Sequence, residues 1–385
     1  MKPKILCISF SDIRADSRVL RQLAVLSEFG EVTTLSYGDK PAGSSEHLEI
    51  DSSLPSLPQT IPGVLALGLH QYKSVVLKAP AVREAAKLAA DRHFDLIVAN
   101  EARALPVAHF LSQQIPGGAP VWGDLHEWAP EERVHVRSWR LLIKPFMTYV
   151  CRTYLPQTQA ITAVNESIAQ LYREQFGCTV EVVRNAGAYQ DLAPSSLKEG
   201  AIRLAHSGAA VPGRNLEGMI QAVLELGSQY TLDLYLVRAR DGGKYWDHLK
   251  ELARSSDQIV FHDAVPPLEL SATLNQYDLG IFSLPPLTTN HKFMLPNKFF
   301  DFVQARLGLV FSPSPETSRL IQQYGLGVIT EDFSPGALAN AIKSLSVERI
   351  RELKNNAHLA AQALSSDEDE AVERKVISGL LAPLG

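Results

Sequence analysis

The sequence reads as two tandem doubly wound α/β domains, and three observations predict this. Short β-branched runs alternate with segments of helical period. The alternation lapses once, at residues 188–200 (AYQDLAPSSLKEG), and then begins afresh. The chain has 385 residues, 45% hydrophobic and 21% charged, which is enough apolar material for two cores and too much length for one small one.

Taken in order, residues 4–10 (KILCISF) are a buried parallel strand, residues 17–28 place Val19, Leu20, Leu23 and Leu26 on one helical face, and residues 31–37 (EVTTLSY) are the next strand. That is a βαβ unit. Residues 41–62, rich in Ser and Pro, read as a long loop. Strands follow at 94–99 (FDLIVA), 119–122 and 160–164 (AITAV), with helices at 81–92 and 166–176. After the lapse, strands at 202–207, 232–237, 258–262, 279–282 and 309–312 alternate with helices at 215–226, 246–254, 268–275 and 297–306. A helix at 347–363 precedes the acidic SSDEDE stretch and a final short helix. The expected domains are 1–192 and 193–364, with 365–385 a helical tail.

Composition excludes several functions. Lys and Arg total 37 against 42 Asp and Glu, a net charge of −5, so no global positive field holds a nucleic acid. Cys7, Cys151 and Cys178 are too few for a disulfide framework, and no His/Cys cluster has zinc spacing, which points to a reducing compartment. The start shows no signal peptide, and no stretch approaches the ~20 apolar residues of a membrane span. A cytoplasmic protein, soluble or at most peripheral at a membrane, is expected.

Open α/β sheets bind ligands beyond the carboxyl ends of their strands, so two of them predict a ligand in a shared interdomain cleft. The most informative stretch is 279–314, where a strand runs into a Pro-rich loop and a helix then starts at Pro296. The N–H groups of such a start suit a diphosphate, Lys298 adds charge, and Asp301 is placed to accept hydrogen bonds from ribose hydroxyls. The alternative is a plain capped surface helix. Residues 206–215 (HSGAAVPGRN) follow a strand with small residues, Gly208 among them, that let a ligand approach the backbone; Arg214 offers a forked donor. No G-x-G-x-x-G occurs there, so a dinucleotide is not indicated.

Residues 121–132 (VWGDLHEWAPEE) bring Asp124, His126 and Glu127 together with two tryptophans, a set suited to a sugar, with a structural histidine as the alternative. In 11–21 (SDIRADSRVLR), Asp16 and Arg18 are candidates for the cleft, while a helix cap at Ser17, or else Asp16, is the plain reading. Residues 133–152 hold five basic and no acidic residues among aromatic and aliphatic ones. They fit anionic lipid or an anionic acceptor, or else a core-facing helix with a solvated basic side.

These segments together resemble the family 4 glycosyltransferases of the GT-B fold. DSRVLRQLAVLSEFGEVTTLSY is similar to the family's opening loop and helix, WGDLHEWAPEE to its Asp-x-His-Glu segment, and ITAVNESIAQLYREQFG with VEVVRNAG to its last N-terminal βα unit. HSGAAVPGRNLEGMIQAVLEL, IVFHDAVPPLEL and YDLGIFSLPP resemble the donor-domain segments, and LPNKFFDFVQARLG the helix that reads Pro-x-Lys-x-x-Glu. The resemblance implies an N-terminal acceptor domain, a C-terminal nucleotide-sugar domain and a tail crossing back to the former.

It implies that Asp301 binds ribose, Arg214 and Lys298 the donor phosphates, and His262, Ala264 and Val265 the base. Phe293, Met294 and Leu295 would turn amides to the diphosphate beside Asn297 and Gly208. His126 would lie close to the transferred sugar, with Asp16, Arg18, Asp124 and Glu127 on the acceptor side. Two positions depart from the pattern: Phe293 stands where the family carries a sugar-binding glutamate, with His291 or Asn290 as substitutes, and Ala209 where it carries an arginine. The implied activity is transfer of a sugar from a nucleoside-diphosphate sugar to an acceptor hydroxyl, with retention and in surface polysaccharide or glycoconjugate synthesis. The acceptor would be a glycan or lipid-linked sugar, and neither metal nor another cofactor is expected. A sugar-binding scaffold of the same fold and a nucleotide-sugar epimerase are the alternatives.

Overall fold

The computed structural model describes residues 2–239 and 241–382, which form two compact units. The first comprises the chain up to Arg184, Thr288–Asn290 and the residues from Asp369 on; the second comprises Asn185–Leu287 and His291–Glu368.

The first unit is built on a parallel sheet of seven strands, β1 (Lys4–Asp12), β2 (Glu31–Tyr37), β3 (Glu46–Ile50), β4 (Leu96–Asn100), β5 (Val121–Leu125), β6 (Ala160–Ala163) and β7 (Glu181–Val182). Their order is β3-β2-β1-β4-β5-β6-β7. Every residue of β4 and β5 is buried, as expected of central parallel strands covered on both faces. The helix Ser17–Phe29 lays Val19, Leu23 and Leu26 on this sheet. Its cap is Asp16, which accepts from the N–H groups of Arg18 and Val19, and not Ser17. Residues 41–62 are not all loop. β3 pairs with β2 there, unseen in sequence because an edge strand with polar alternation (EHLEI) resembles a loop, and the helix Ile61–Gly68 begins within the same stretch.

The second unit has six parallel strands, β8 (Ile202–Ala210), β9 (Tyr230–Arg238), β10 (Ile259–Asp263), β11 (Leu279–Phe282), β12 (Gly308–Phe311) and β13 (Gly327–Ile329), in the order β10-β9-β8-β11-β12-β13. Residues 185–201, without helix or strand, are held on this unit by Arg306. The buried Arg306 guanidinium donates to the carbonyls of Leu192 and Gln190, while Gln304 Oε1 accepts from the Gln190 N–H at 3.0 Å. The unit begins at Asn185. At the other end, the helix Ser366–Leu381 buries Ile377 and Val376 in the core of the first unit. There Asp369 accepts from both the N–H and the guanidinium of Arg184.

In each sheet the strand order reverses beside the first strand, between β1 and β4 and between β8 and β11. The carboxyl ends of those strands are where an open α/β sheet takes its ligand.

Candidate functional site

In the second unit, Gly208 near the end of β8 has φ +153°, a conformation that L side chains rarely adopt, and a Cβ there would lie 3.4 Å from Lys298 Nζ. Lys298 rises from the helix Asn297–Gln304, whose N-cap is Pro296 in extended conformation with no side-chain cap. The ammonium lies 4.8 Å from the centroid of the Phe282 ring at the end of β11. Burial, then the positive charge of Arg214, push the Lys298 pKa down to about 8, against a smaller opposing pull from Asp301.

Beneath it the His206 Nδ1–H donates to the Ile281 carbonyl at 2.9 Å, and burial together with Lys298 holds this imidazole neutral, its pKa down to about 3. Arg214 is exposed on the loop after β8. That loop ends at Asn215, in left-handed conformation at φ +56°, whose amide donates to Ser283 Oγ at 3.1 Å and ties it to the end of β11. Two cations and an uncapped helix start thus converge on one small-residue strand end. A desolvated ammonium crowded by a second cation is relieved by an anion, so the arrangement suits phosphate.

The remaining predicted residues of this unit are placed less uniformly. Asp301 is half-buried one turn into the same helix, and the Asn297 side chain accepts from Asn185 Nδ2 at 2.7 Å. Met294 packs against the core and Leu295 lies within it, while the Phe293 ring lies 5.0 Å from Lys292 Nζ. Ser314 Oγ donates to the carbonyls of Lys292 and Met294, which pins this loop. His262 is engaged rather than open: its Nε2 meets Asp233 Oδ1 at 2.5 Å and its ring stacks on Tyr235 at 4.4 Å. Ala264 is exposed and Val265 half-buried just after β10.

In the first unit, β5 delivers Asp124 and the following loop His126. Asp124 is 0% exposed and Arg18 only 6%. Two hydrogen bonds join them, Arg18 Nε to Oδ2 at 2.8 Å and Nη2 to Oδ1 at 2.6 Å, and Arg18 Nη1 donates to the Val183 carbonyl. Thr162 Oγ1, in register with Asp124 across β6, donates to Oδ1 at 2.6 Å. Burial alone would raise the Asp124 pKa, but Arg18 and His126 hold it well below the usual carboxylate range. His126 Nε2 lies 3.2 Å from Asp124 Oδ2 and 3.3 Å from Asn100 Oδ1. Burial pulls its pKa down, yet the bond to Asp124 prevails and raises it.

Arg18 and Asp124 are both buried, and each completes the other's hydrogen bonding, so the pair holds β5 and the loop that carries His126. Glu127 is exposed, and Asp16 is half-buried and engaged as a helix cap. Asn290 is engaged within the first unit: its Oδ1 accepts from the Trp128 N–H at 2.7 Å and its amide donates to the Trp128 carbonyl.

Sequence reasoning missed Thr162, Asn100 and Glu373. The first two lie on strands whose register no local pattern reveals. Glu373 comes from the last helix, and burial, then the charge of Asp124, push its pKa up to about 8. Among the described residues no group of three or more His, Cys, Asp or Glu could hold a metal ion.

Residues 30–186 match the model of Glycosyltransferase Family 4. No curated protein matches the sequence. Among solved structures the chain is similar to Anabaena HepE in complex with UDP-glucose, with TM-score 0.70 and 15% identity over 98% of this chain and 100% of that one. It is similar to sucrose-phosphate synthase from Thermosynechococcus elongatus, with TM-score 0.71 and 15% identity over 99% and 100%. The α,α-trehalose 6-phosphate synthase of Burkholderia multivorans follows at TM-score 0.68 and 13% identity, over 100% and 99%. By fold the chain is of the GT-B type, and within it residues 30–186 match the family 4 glycosyltransferase model. The family match falls almost wholly within the first unit, whereas the likeness of the second unit rests on fold.

Proposed function

We propose that the chain transfers a sugar from a nucleoside-diphosphate sugar to an acceptor hydroxyl with retention at the anomeric carbon. The observation that carries this reading is the Lys298 cluster: a desolvated ammonium, a nearby guanidinium and an uncapped helix start at the carboxyl end of a parallel sheet. The similar HepE was solved with UDP-glucose, which supports a nucleotide sugar as the ligand.

When the bond between sugar and phosphate breaks, positive charge develops on the sugar and negative charge on the departing diphosphate. Lys298, Arg214 and the N–H groups opening the helix stabilise the second charge, which grows in the transition state and makes their effect catalytic. Asp301 accepts from ribose hydroxyls, and Gly208 leaves room for the phosphates beside Lys298. His126, kept basic by Asp124, donates to the transferred sugar. These groups neutralise the leaving group themselves, and the proposed reaction needs no metal. The acceptor is a glycan or a lipid-linked sugar of surface polysaccharide synthesis, and residues 133–152 provide contact with the membrane that carries it.

Thermal protection by UDP, GDP, ADP and TDP identifies the base, since a ligand that binds the folded state must stabilise it. Arg214→Ala and Lys298→Ala should each weaken binding of that nucleotide about 10- to 100-fold and lower turnover with it. Near wild-type turnover in both variants overturns the assignment. Donor converted without an acceptor would indicate an epimerase, and donor bound without turnover a scaffold. The anomeric configuration of the product, read by NMR, tests retention.

A further inference from the structure

The helix Ile61–Gly68 reads IPGVLALG and has no polar or charged side chain. Its inner side is closed by the buried Gly63 and Leu67, and it packs against the turn Trp139–Ile143. A Cβ at Gly63 would lie 2.6 Å from the Pro58 carbonyl oxygen, so glycine is what lets the helix sit this close. The outer side faces water. Ile61 is 81% exposed, Leu65 63% and Leu69, just past the helix, 70%. The adjoining turn adds Leu141 at 64%. Single exposed leucines need no explanation, but four large aliphatic side chains on two packed elements form a patch that requires a partner.

The charges around the patch are mainly basic. Arg137 and Arg140 are exposed beside Leu141, and Lys73 is exposed after the helix. The cavity under the helix, about 840 Å³, is lined by Lys78, Arg83 and Lys87, with Glu84 the one acid. Residues 52–83 contain no Asp or Glu, and neither do residues 133–152. An apolar face ringed by cations is complementary to a bilayer with anionic headgroups, where acyl chains take the leucines and phosphates take the arginines and lysines. No helix among the described residues is long and apolar enough to cross a membrane, so this element would lie in the interface.

We propose that the helix Ile61–Gly68, with Leu69 and Leu141, inserts into the headgroup region of an anionic bilayer, and that Arg137, Arg140 and Lys73 bind its phosphates. The basic stretch 133–152 does not do this by itself, because Trp139, Ile143, Phe146, Met147 and Val150 are buried within the protein. The proposal rests on the membrane contact named above and not on the sugar transfer.

Co-sedimentation of the full chain with vesicles of phosphatidylcholine, alone or mixed with phosphatidylglycerol, tests it. Binding is expected to the mixed vesicles and to weaken with salt. The double change Ile61→Ser and Leu65→Ser should lower binding about tenfold or more. Arg137→Gln and Arg140→Gln should each lower it about fivefold on the anionic vesicles only. All four positions are exposed, so the melting temperature and protection by the nucleotide should stay as in the parent, which separates failure of this proposal from failure of the transferase reading. No binding to either vesicle, or binding unaltered by the double change, overturns it. A dimer that the double change dissociates, without vesicle binding, assigns the patch to a second copy and also overturns it.

Discussion

Lys298 shows how much chemistry one residue acquires from its surroundings. In the sequence it is a lysine in the first turn of a helix; in the fold it is a half-buried ammonium over an aromatic ring, with its pKa pushed down to about 8 by desolvation and then by Arg214. An anion bound beside it favours the charged form and returns that pKa upward. Nucleotide binding should therefore take up protons around pH 8 to 9 and weaken as pH rises through this range. Calorimetry of UDP binding in buffers of different ionisation enthalpy measures the uptake, and Lys298→Met should abolish it. Asp124 illustrates the opposite case. It was legible in the sequence as part of an Asp-x-His-Glu segment, but its closure from solvent by Arg18 and Thr162 was not, because those partners lie 106 and 38 residues away.

At the scale of elements, the helix Asn297–Gln304 is positioned by the strand beneath it. Gly280 on β11 lies against Phe302, and a Cβ there would come within 2.3 Å of the ring. Phe302 is fully buried and shares its helix with Lys298 and Asp301. Gly280→Ala should cost about 1–3 kcal/mol through overpacking and should also weaken nucleotide binding by displacing the helix. Chemical denaturation measures the first effect and titration with UDP the second; unaltered affinity would show that the helix start is not held from below. The helix was legible from Pro296 and its apolar period, as were the central strands, since burial on both faces leaves continuous apolar runs. Edge strands β3 and β13 were not, because a half-solvated strand of three to five residues has the composition of a loop.

For the molecule as a whole, the last helix matters to the first unit. Glu373 is buried near Asp124, and its pKa is pushed up to about 8, first by burial and then by that charge. With the folded pKa above the unfolded one, the folded state holds the extra proton between about pH 4.5 and 8. Stability contributed by this group is complete below about pH 4.5, falls as pH rises through that window and is level above it. Glu373→Gln should therefore leave stability little changed at pH 5 and raise it by a few kcal/mol at pH 8, read from denaturation at the two values. An equal difference at both would overturn the assignment.

The sequence by itself determined the two α/β series, their break near residue 190, the resemblance to family 4 glycosyltransferases and the helix that carries Lys298 and Asp301. Each of these is written in local periodicity and short motifs, which neighbouring residues suffice to specify. Tertiary structure decided which charged groups are closed from water, which carboxylate keeps its proton, and that an apolar helix in an apparent loop lies beside the basic turn. Those properties depend on strand register and on helices packed from distant parts of the chain. Desolvation and paired charge arise only once those parts meet.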